Sequence, residues 1–522
     1  MVYDRCLTKN HTTNLITFAF QPTLRPALLP VFGSADYREQ RRQFERIDLI
    51  LTESKLDAEF LALALKDQGI DPATLCPKKG ARFAMMSALS LRANLARTLL
   101  QLPHRPFCAR VADSPLLQWF LQLGEIRFVK IFAKSTSERF SQWVSPESML
   151  LINQKSVILS TTLTTGEAPA PRFGLGTAPA CDEVFFDTTC VKSNIHFPVD
   201  WLLLRDASRT LMKATLCIRS AGLKERMPQS PEAFLRDMNI LCMAMSAQGR
   251  KLDSRKQRKR LLRDMKQLEK RIAGHACSHR EALVTRRSET VLSEGRAGLI
   301  IARIDHVLTL LPEAIRQAHE RIIGGRQVRS QDKILSLYDR DINVIVRGKA
   351  GAAVEFGNKL SLSENRQGLI LDYKLHRDNP SDPSLVAPTL VRLVDDMKLP
   401  VGKLWSDRGM HSKKNEVLLY NRGIASGLCP RQPAALQAAL QEPGVAEGMK
   451  RRGGTEARIG IFKNQFLNNP MTGKSFAARD RACGWAVLTH NLWVLARQPL
   501  AKRQKVPPAK ANQAAAARLR AA

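Results

Sequence analysis

Residues 184–191, Val-Phe-Phe-Asp-Thr-Thr-Cys-Val, are an apolar, β-branched run with one carboxylate at its centre. Such a run reads as a buried strand. Packing alone favours Val or Ile at that centre, so Asp187 needs another reason to be there. A second apolar run, Leu404-Trp405-Ser406-Asp407-Arg408-Gly409, carries its acid where a strand ends and a glycine turn opens. Further on, Met449-x-x-Arg452-x-x-x-Glu456-x-x-x-x-x-x-Lys463 sets an acid between two cations. A helix is expected to begin at Thr455, its N-cap after Gly453-Gly454, and to run through Phe466. Glu456 and Lys463 then lie about twenty degrees apart on that helix, while Arg452 falls outside it.

Each acid alone has an ordinary reading. Asp187 suits a strand-end acid paired to an arginine, Asp407 a turn or cap, and Glu456 a charge favouring a helix N-terminus. In order along one chain they suggest more. Cutting a phosphodiester with two divalent ions needs carboxylates converging from separate elements, the cations offsetting their mutual repulsion. Asp200 and Asp206 compete for the first position, but only Asp187 lies inside an apolar run.

The balance of charge fits such a substrate. The 522 residues carry 81 Lys and Arg against 48 Asp and Glu, a formal +33, which makes nucleic acid the default partner. No apolar run reaches membrane-spanning length, and Leu15–Phe20 is too short for a signal peptide, so a cytoplasmic setting is expected. The ten cysteines include no CxxC pair, which argues against a zinc ribbon and for a reduced compartment. His275-x-Cys277-x-His279 lacks a fourth ligand nearby.

Roughly two to four domains are expected from the length. Residues 1–35 read as an irregular arm broken by Pro22, Pro26 and Pro30. Residues 36–153 read as short helices, among them Arg92–Leu102, a helix capped by Ser114-Pro115, and one capped by Ser135-Thr136-Ser137; helix-turn-helix recognition of DNA and a plain bundle both fit. The run 154–206 carries the first strand signal and is expected to open the core that holds the acids, and 207–340 is expected to be helical. Within it Leu261, Met265, Leu268 and Ile272, then Ile300, Ile304, Val307 and Leu311, share a 4-3-4 spacing that predicts a helical hairpin. The core resumes over 341–496, with strands at 342–346, 354–362, 369–375, 403–407 and 424–428 and helices at 383–397, 413–421 and 481–497. The tail 497–522, basic and without an acid, is expected to be disordered.

The three acidic blocks together resemble the DDE transposases of bacterial insertion sequences. In that family the last block runs Tyr, Arg, Glu, Lys at the spacing found here, with Met449 in place of the Tyr. Asp187-Thr188-Thr189-x-x-x-Ser193-Asn194-Ile195-His196-x-Pro198-x-Asp200 resembles the family's first-Asp block, and Ser406-Asp407-Arg408-Gly409 with Ser412 and Asn415 resembles its second. The likeness covers about 184–496, more weakly from 36. It implies an α/β fold with a ribonuclease H-like catalytic core, an N-terminal helical DNA-binding region and a helical insertion after the first core strand. It further implies that Asp187, Asp407 and Glu456 hold two Mg²⁺ ions, with Mn²⁺ able to substitute, and that Arg452 and Lys463 grip DNA. The partners implied are double-stranded DNA, as the element's terminal inverted repeats and the target, and further copies of the chain in a synaptic complex. A plain nuclease on the same core and an inactive DNA-binding relative are the rivals.

Two motifs are set aside. Thr472-Gly473-Lys474-Ser475 imitates the end of a phosphate-binding loop, but Asn468 stands where the first glycine is required and no strand leads in. His490, between Trp485 and Trp493 in an apolar helix, reads as a packing residue.

Overall fold

A computed structural model describes residues 25, 27–124, 129–164, 169–248, 254–349, 352–468 and 470–501. Most of the expected N-terminal arm and the tail from 502 onward lie outside them. Helices come first: α1 (Ala35–Ser54), α2 (Leu56–Asp67), α3 (Pro77–Leu99), α4 (His104–Asp113), α5 (Pro115–Phe120), α6 (Lys134–Phe140) and α7 (Pro146–Thr161). The Ser114-Pro115 start is as expected: the Ser114 hydroxyl accepts from the Leu117 amide, and Ser145-Pro146 opens α7 in the same way. Two expectations need correcting. The helix placed at 92–102 begins at Pro77, and Ser135–Ser137 lie inside the first turn of α6, whose flanking residue is Ala133. Of their hydroxyls, that of Ser137 serves a tertiary contact, meeting His104 Nδ1 at 2.8 Å, while that of Thr136 accepts from Arg139 in the same helix.

Strand β1 (Glu183–Lys192) follows, and the chain leaves it for four helices, α8 (Asp200–Ser220), α9 (Pro231–Ala247), α10 (Ser254–Thr285) and α11 (Glu294–Ala318). The 4-3-4 stripes do their expected work: Met265, Leu268, Ile272, Ile300, Ile304, Val307 and Leu311 are buried, in one cluster with Leu204, Leu211 and Met238. Only Leu261 is displaced, its neighbour Leu262 taking the buried place.

The chain returns as β2 (Asn343–Lys349), β3 (Ala352–Asn365) and β4 (Ile370–Leu375), then α12 (Val386–Leu390), β5 (Lys403–Ser406), α13 (Lys413–Asn421), β6 (Ala425–Leu428), α14 (Pro433–Leu440), α15 (Val445–Gln465) and α16 (Phe476–Arg497). The strands form one mixed sheet in the order β2-β3-β1-β5-β6, with β4 also on β3. β1 runs antiparallel to β3 and parallel to β5, and β6 is parallel to β5. Gly357 pairs with both Lys192 and Asn343, so β2 and β4 share the edge of β3 that faces away from β1.

Two apolar layers sandwich this sheet. On one face Val184, Phe186 and Leu404 join α1–α7 and α16 in a single cluster that includes Phe44, Phe60, Ile152 and Leu488. The N-terminal helices therefore share the core of the sheet. On the other face Val191, Leu360 and Leu362 pack against Phe462, Phe466 and Val487 of α15 and α16. No helix among the described residues is long and apolar enough to cross a membrane.

Candidate functional site

Side chains alternate across β1, and its pairings fix which residues share a face. Phe185, Asp187, Thr189 and Val191 share the face covered by α15. Phe185 stacks on Trp405 of β5, with ring planes 7° apart. The parallel register pairs Phe186 with Ser406, so Asp187 and Asp407 are the next residues along adjacent strands. Sequence spacing alone does not place these two acids side by side; the β1–β5 pairing does.

The helix that brings Glu456 differs from the one expected. α15 starts at Val445 behind a left-handed Gly444, which puts Gly453-Gly454 and Thr455 in its interior. A glycine pair costs a helix about 2 kcal/mol against alanine, and the sequence signal for a break was sound on that ground. Tertiary contacts override it. Gly448 lets the helix approach the Trp405 ring so closely that a Cβ would come within 2.1 Å of it. Arg451 lies over the Phe185 ring at 4.6 Å and reaches Glu364 at the end of β3, where the Thr455 hydroxyl donates to the same carboxylate at 2.8 Å. Thr455 is thus a buried clamp rather than a cap. Arg452 is corrected with it: it belongs to the helix, one turn before Glu456. At about 100° per residue, Met449, Arg452, Glu456 and Lys463 fall within a stripe about 60° wide.

Along that stripe the four residues do different things. Met449 packs against Phe185, Trp405 and Val445. Lys463 donates to the Thr189 hydroxyl at 3.2 Å and the Cys190 carbonyl at 2.7 Å, fastening the helix to β1. Arg452 is half-buried, and its Nε has no hydrogen-bond partner. Glu456 is exposed.

Asp187 is buried, and its Oδ1 accepts from the Thr188 amide at 2.6 Å. Burial pushes its carboxyl up to about 6; the charges of Asp407 and Glu456 push the same way, against the Thr188 amide and Arg452. Three separate elements thus act on one carboxyl: the end of β5, helix α15 and β1 itself. Asp407 turns its Oδ1 back to the amides of Gly409 and Met410, at 3.0 and 3.3 Å. A Cβ on Gly409 would stand 3.1 Å from that oxygen and 3.2 Å from Asp382 Oδ2, so a side chain there would require both carboxylates to give by a few tenths of an ångström. Asn415 fixes this turn, donating to the carbonyls of Met410 and Pro383, and Ser412 caps α13 behind it.

Asp382 gave no sequence signal, being one acid in a proline-rich connection. It is bound by Lys359 at 2.8 Å and by the Thr188 hydroxyl at 3.4 Å. The rival acids lie elsewhere. Asp200 is tied to Gln317 at the end of α11 and to Arg321 just past it, and Asp206 to His196 before α8 and to its helix neighbour Arg205. His279 bonds the His275 carbonyl and Arg219, and His490 is enclosed by Phe462, Phe466 and Trp493.

All the acids of this site offer hard oxygen ligands, the donor type Mg²⁺ and Mn²⁺ take. A cation there would relieve the repulsion that raises the Asp187 carboxyl. The donor chemistry fits, although among the described residues no group of three or more His, Cys, Asp or Glu side chains is placed so as to hold a metal ion. Comparison of the chain with protein-family models, curated proteins and solved structures finds no match.

Proposed function

We propose that the chain is a DNA transposase of the insertion-sequence type, cutting the ends of a mobile element and joining them to target DNA on a ribonuclease H-like core. One observation carries the reading. Asp187, Asp407 and Glu456, chosen for their sequence blocks alone, come from a strand, a strand end and a helix, yet the latter two both act on the charge of the first. Support also comes from the adjacent parallel strands that carry the two aspartates, and from the formal charge of +33.

In this reading Asp187, Asp407 and Glu456 hold two Mg²⁺ ions, which when bound activate the attacking oxygen and stabilise the leaving one. Thr188 and Gly409 orient the two aspartates through their amides. Arg452, the cation closest in effect to Asp187, holds a phosphate of the scissile strand beside the acids. Lys463, expected to grip DNA, also fixes the height of α15 over β1 and so the reach of Glu456.

The test is cleavage of DNA flanking the gene in Mg²⁺ or Mn²⁺, comparing wild type with E456Q. Wild type should nick at defined ends and yield strand-transfer products, while E456Q should bind the same ends without nicking them. Cutting without joining would indicate a plain nuclease. Undiminished nicking by E456Q would remove Glu456 from the site.

A further inference from the structure

A second concentration of unpaired positive charge lies away from the acids, where the N-terminal helices meet the start of α16. Here the end of α3, the start of α4, the segment after α6 and residues Leu467, Asn468, Met471, Thr472 and Gly473 line a cavity of about 240 Å³. Arg97, His104, Gln142, Thr472 and Arg481 are among its polar lining residues, and the lining contains no Asp or Glu. Phe466, Leu467 and Trp485 form apolar wall.

The two arginines are what set this cavity apart. Arg97 makes no side-chain hydrogen bond or ion pair with any described residue, and its Nε is buried without a partner. Burial draws its guanidinium below the usual arginine value with no opposing carboxylate. Arg481 is desolvated in the same direction; Glu147, Asp480 and Asp67 act on it from a distance, none as an ion pair. Arginine does not shed its proton to escape such a place, so the charge persists and calls for a counter-charge. His104 adds none, since burial and then Arg97 hold its imidazole down to about 4. Its Nδ1 is engaged with Ser137, and with that nitrogen accepting, Nε2 is left as a donor.

We infer that this cavity is a phosphate-binding site in which Arg97 and Arg481 share the oxygens of one phosphate group. Guanidinium forks match a tetrahedral anion with several oxygens, and a cavity of this size holds about eight waters, ample for a phosphate with part of its hydration. Ala478 in the first turn of α16 and Arg481 in its second both line the cavity, which places the positive end of that helix dipole beside the same space. Thr472 and Gly473 thus contribute to an anion site without forming a nucleotide loop: the Ser475 hydroxyl accepts from the Ala478 amide, and Lys474 is exposed. This inference stands apart from the cleavage site and does not depend on it.

The phosphate has two possible sources, the DNA backbone and free phosphate in solution, and one pair of proteins distinguishes them. Full-length wild type and R97M, which keeps volume but loses charge, are melted in rising inorganic phosphate at ionic strength held constant with sodium chloride. Wild-type Tm should rise by about 2–4 °C toward saturation, with no response from R97M. R97K, which keeps charge without the fork, should respond weakly, so an ill-folded R97M does not decide the matter. Binding of a short duplex is then followed against salt. A DNA phosphate in the cavity makes the slope of log K against log salt shallower by about one in R97M, whereas a free-phosphate site leaves the slope unchanged. Equal phosphate responses and equal salt slopes in wild type and R97M would overturn the proposal.

Discussion

Asp187 in β1 and Glu269 in α10 are both buried carboxyls held above their usual range, and they differ in the neighbours that act on them, which is the difference the proposed site rests on. Glu269 is pushed up to about 8 by burial alone, opposed only by a hydrogen bond from Ser208. It is fully enclosed among the four insertion helices, and its Oε1 has no partner. Asp187 is raised less, to about 6, because an amide and Arg452 offset part of the burial, but two further carboxylates act on it as well. Depth of burial ranks Glu269 first. Only the neighbours pick out Asp187, since an acid surrounded by acids from other elements is an arrangement that packing does not produce by itself.

The largest expected difference between the two is in activity. D187N should lower metal-dependent cleavage by at least about a hundredfold, because it removes a charged ligand from between the other two acids. E269M should leave cleavage within about twofold of wild type, measured on the same DNA ends. Loss of cleavage in E269M with normal folding would mean that the insertion helices take part in the reaction.

Stability should show the reverse ranking. A carboxyl whose folded pKa is raised binds its proton more tightly when folded, so its contribution is whole below the unfolded value and is lost as pH rises through the folded one. For Glu269 the window runs from about 4.5 to about 8, and at pH 7 the cost is about 3 kcal/mol. Removing the carboxyl in E269M should recover most of this in thermal melts at pH 7 and almost none at pH 4. Ser208 keeps a partner in the Leu204 carbonyl, so the substitution leaves no new orphan there. For Asp187 the window closes earlier, at about 6. With divalent ions chelated, D187N should gain somewhat less than E269M at pH 7, and the gain should stop growing above pH 6. Added Mg²⁺ then sharpens the contrast, since it should raise the Tm of wild type and E269M while leaving D187N unmoved.

Much of this frame was legible from residue pattern. Helix α13 has its expected bounds, and the strands β2 to β6 fall within a few residues of theirs, because apolar alternation and turn residues are local signals. The hairpin of α10 and α11 followed from its apolar stripes, although the α8 and α9 surfaces that receive them did not. The acids Asp187 and Asp407 were visible as misfits in apolar runs. Long-range contact supplied the rest. Nothing near Asp382 in the sequence points to Lys359, and nothing near Arg97 indicates that no acid lies opposite it. The start of α15 was misplaced because Gly453-Gly454 is a real local penalty, overcome by Trp405 against Gly448 and by Arg451 and Thr455 on Glu364.

That last override yields the smallest effect, and it bears on the field at Asp187, since a helix beginning at Thr455 would not carry Arg452 on the same face as Glu456. A Cβ at Gly453 meets nothing within 4 Å, and the residue lies inside α15 with an ordinary negative φ. G453A should therefore stabilise the protein by up to about 1 kcal/mol, through helix propensity and the lower entropy of the unfolded chain. Were the helix to start at Thr455, the same alanine would lie in a connecting turn and bring no helix-propensity gain. A rise in Tm with an unchanged pH profile between 4 and 6 would fix Arg452 and Glu456 on one rigid face above Asp187. A fall in Tm would return Gly453-Gly454 to the role of a break, and the acid of the third block would lose its place beside the other two.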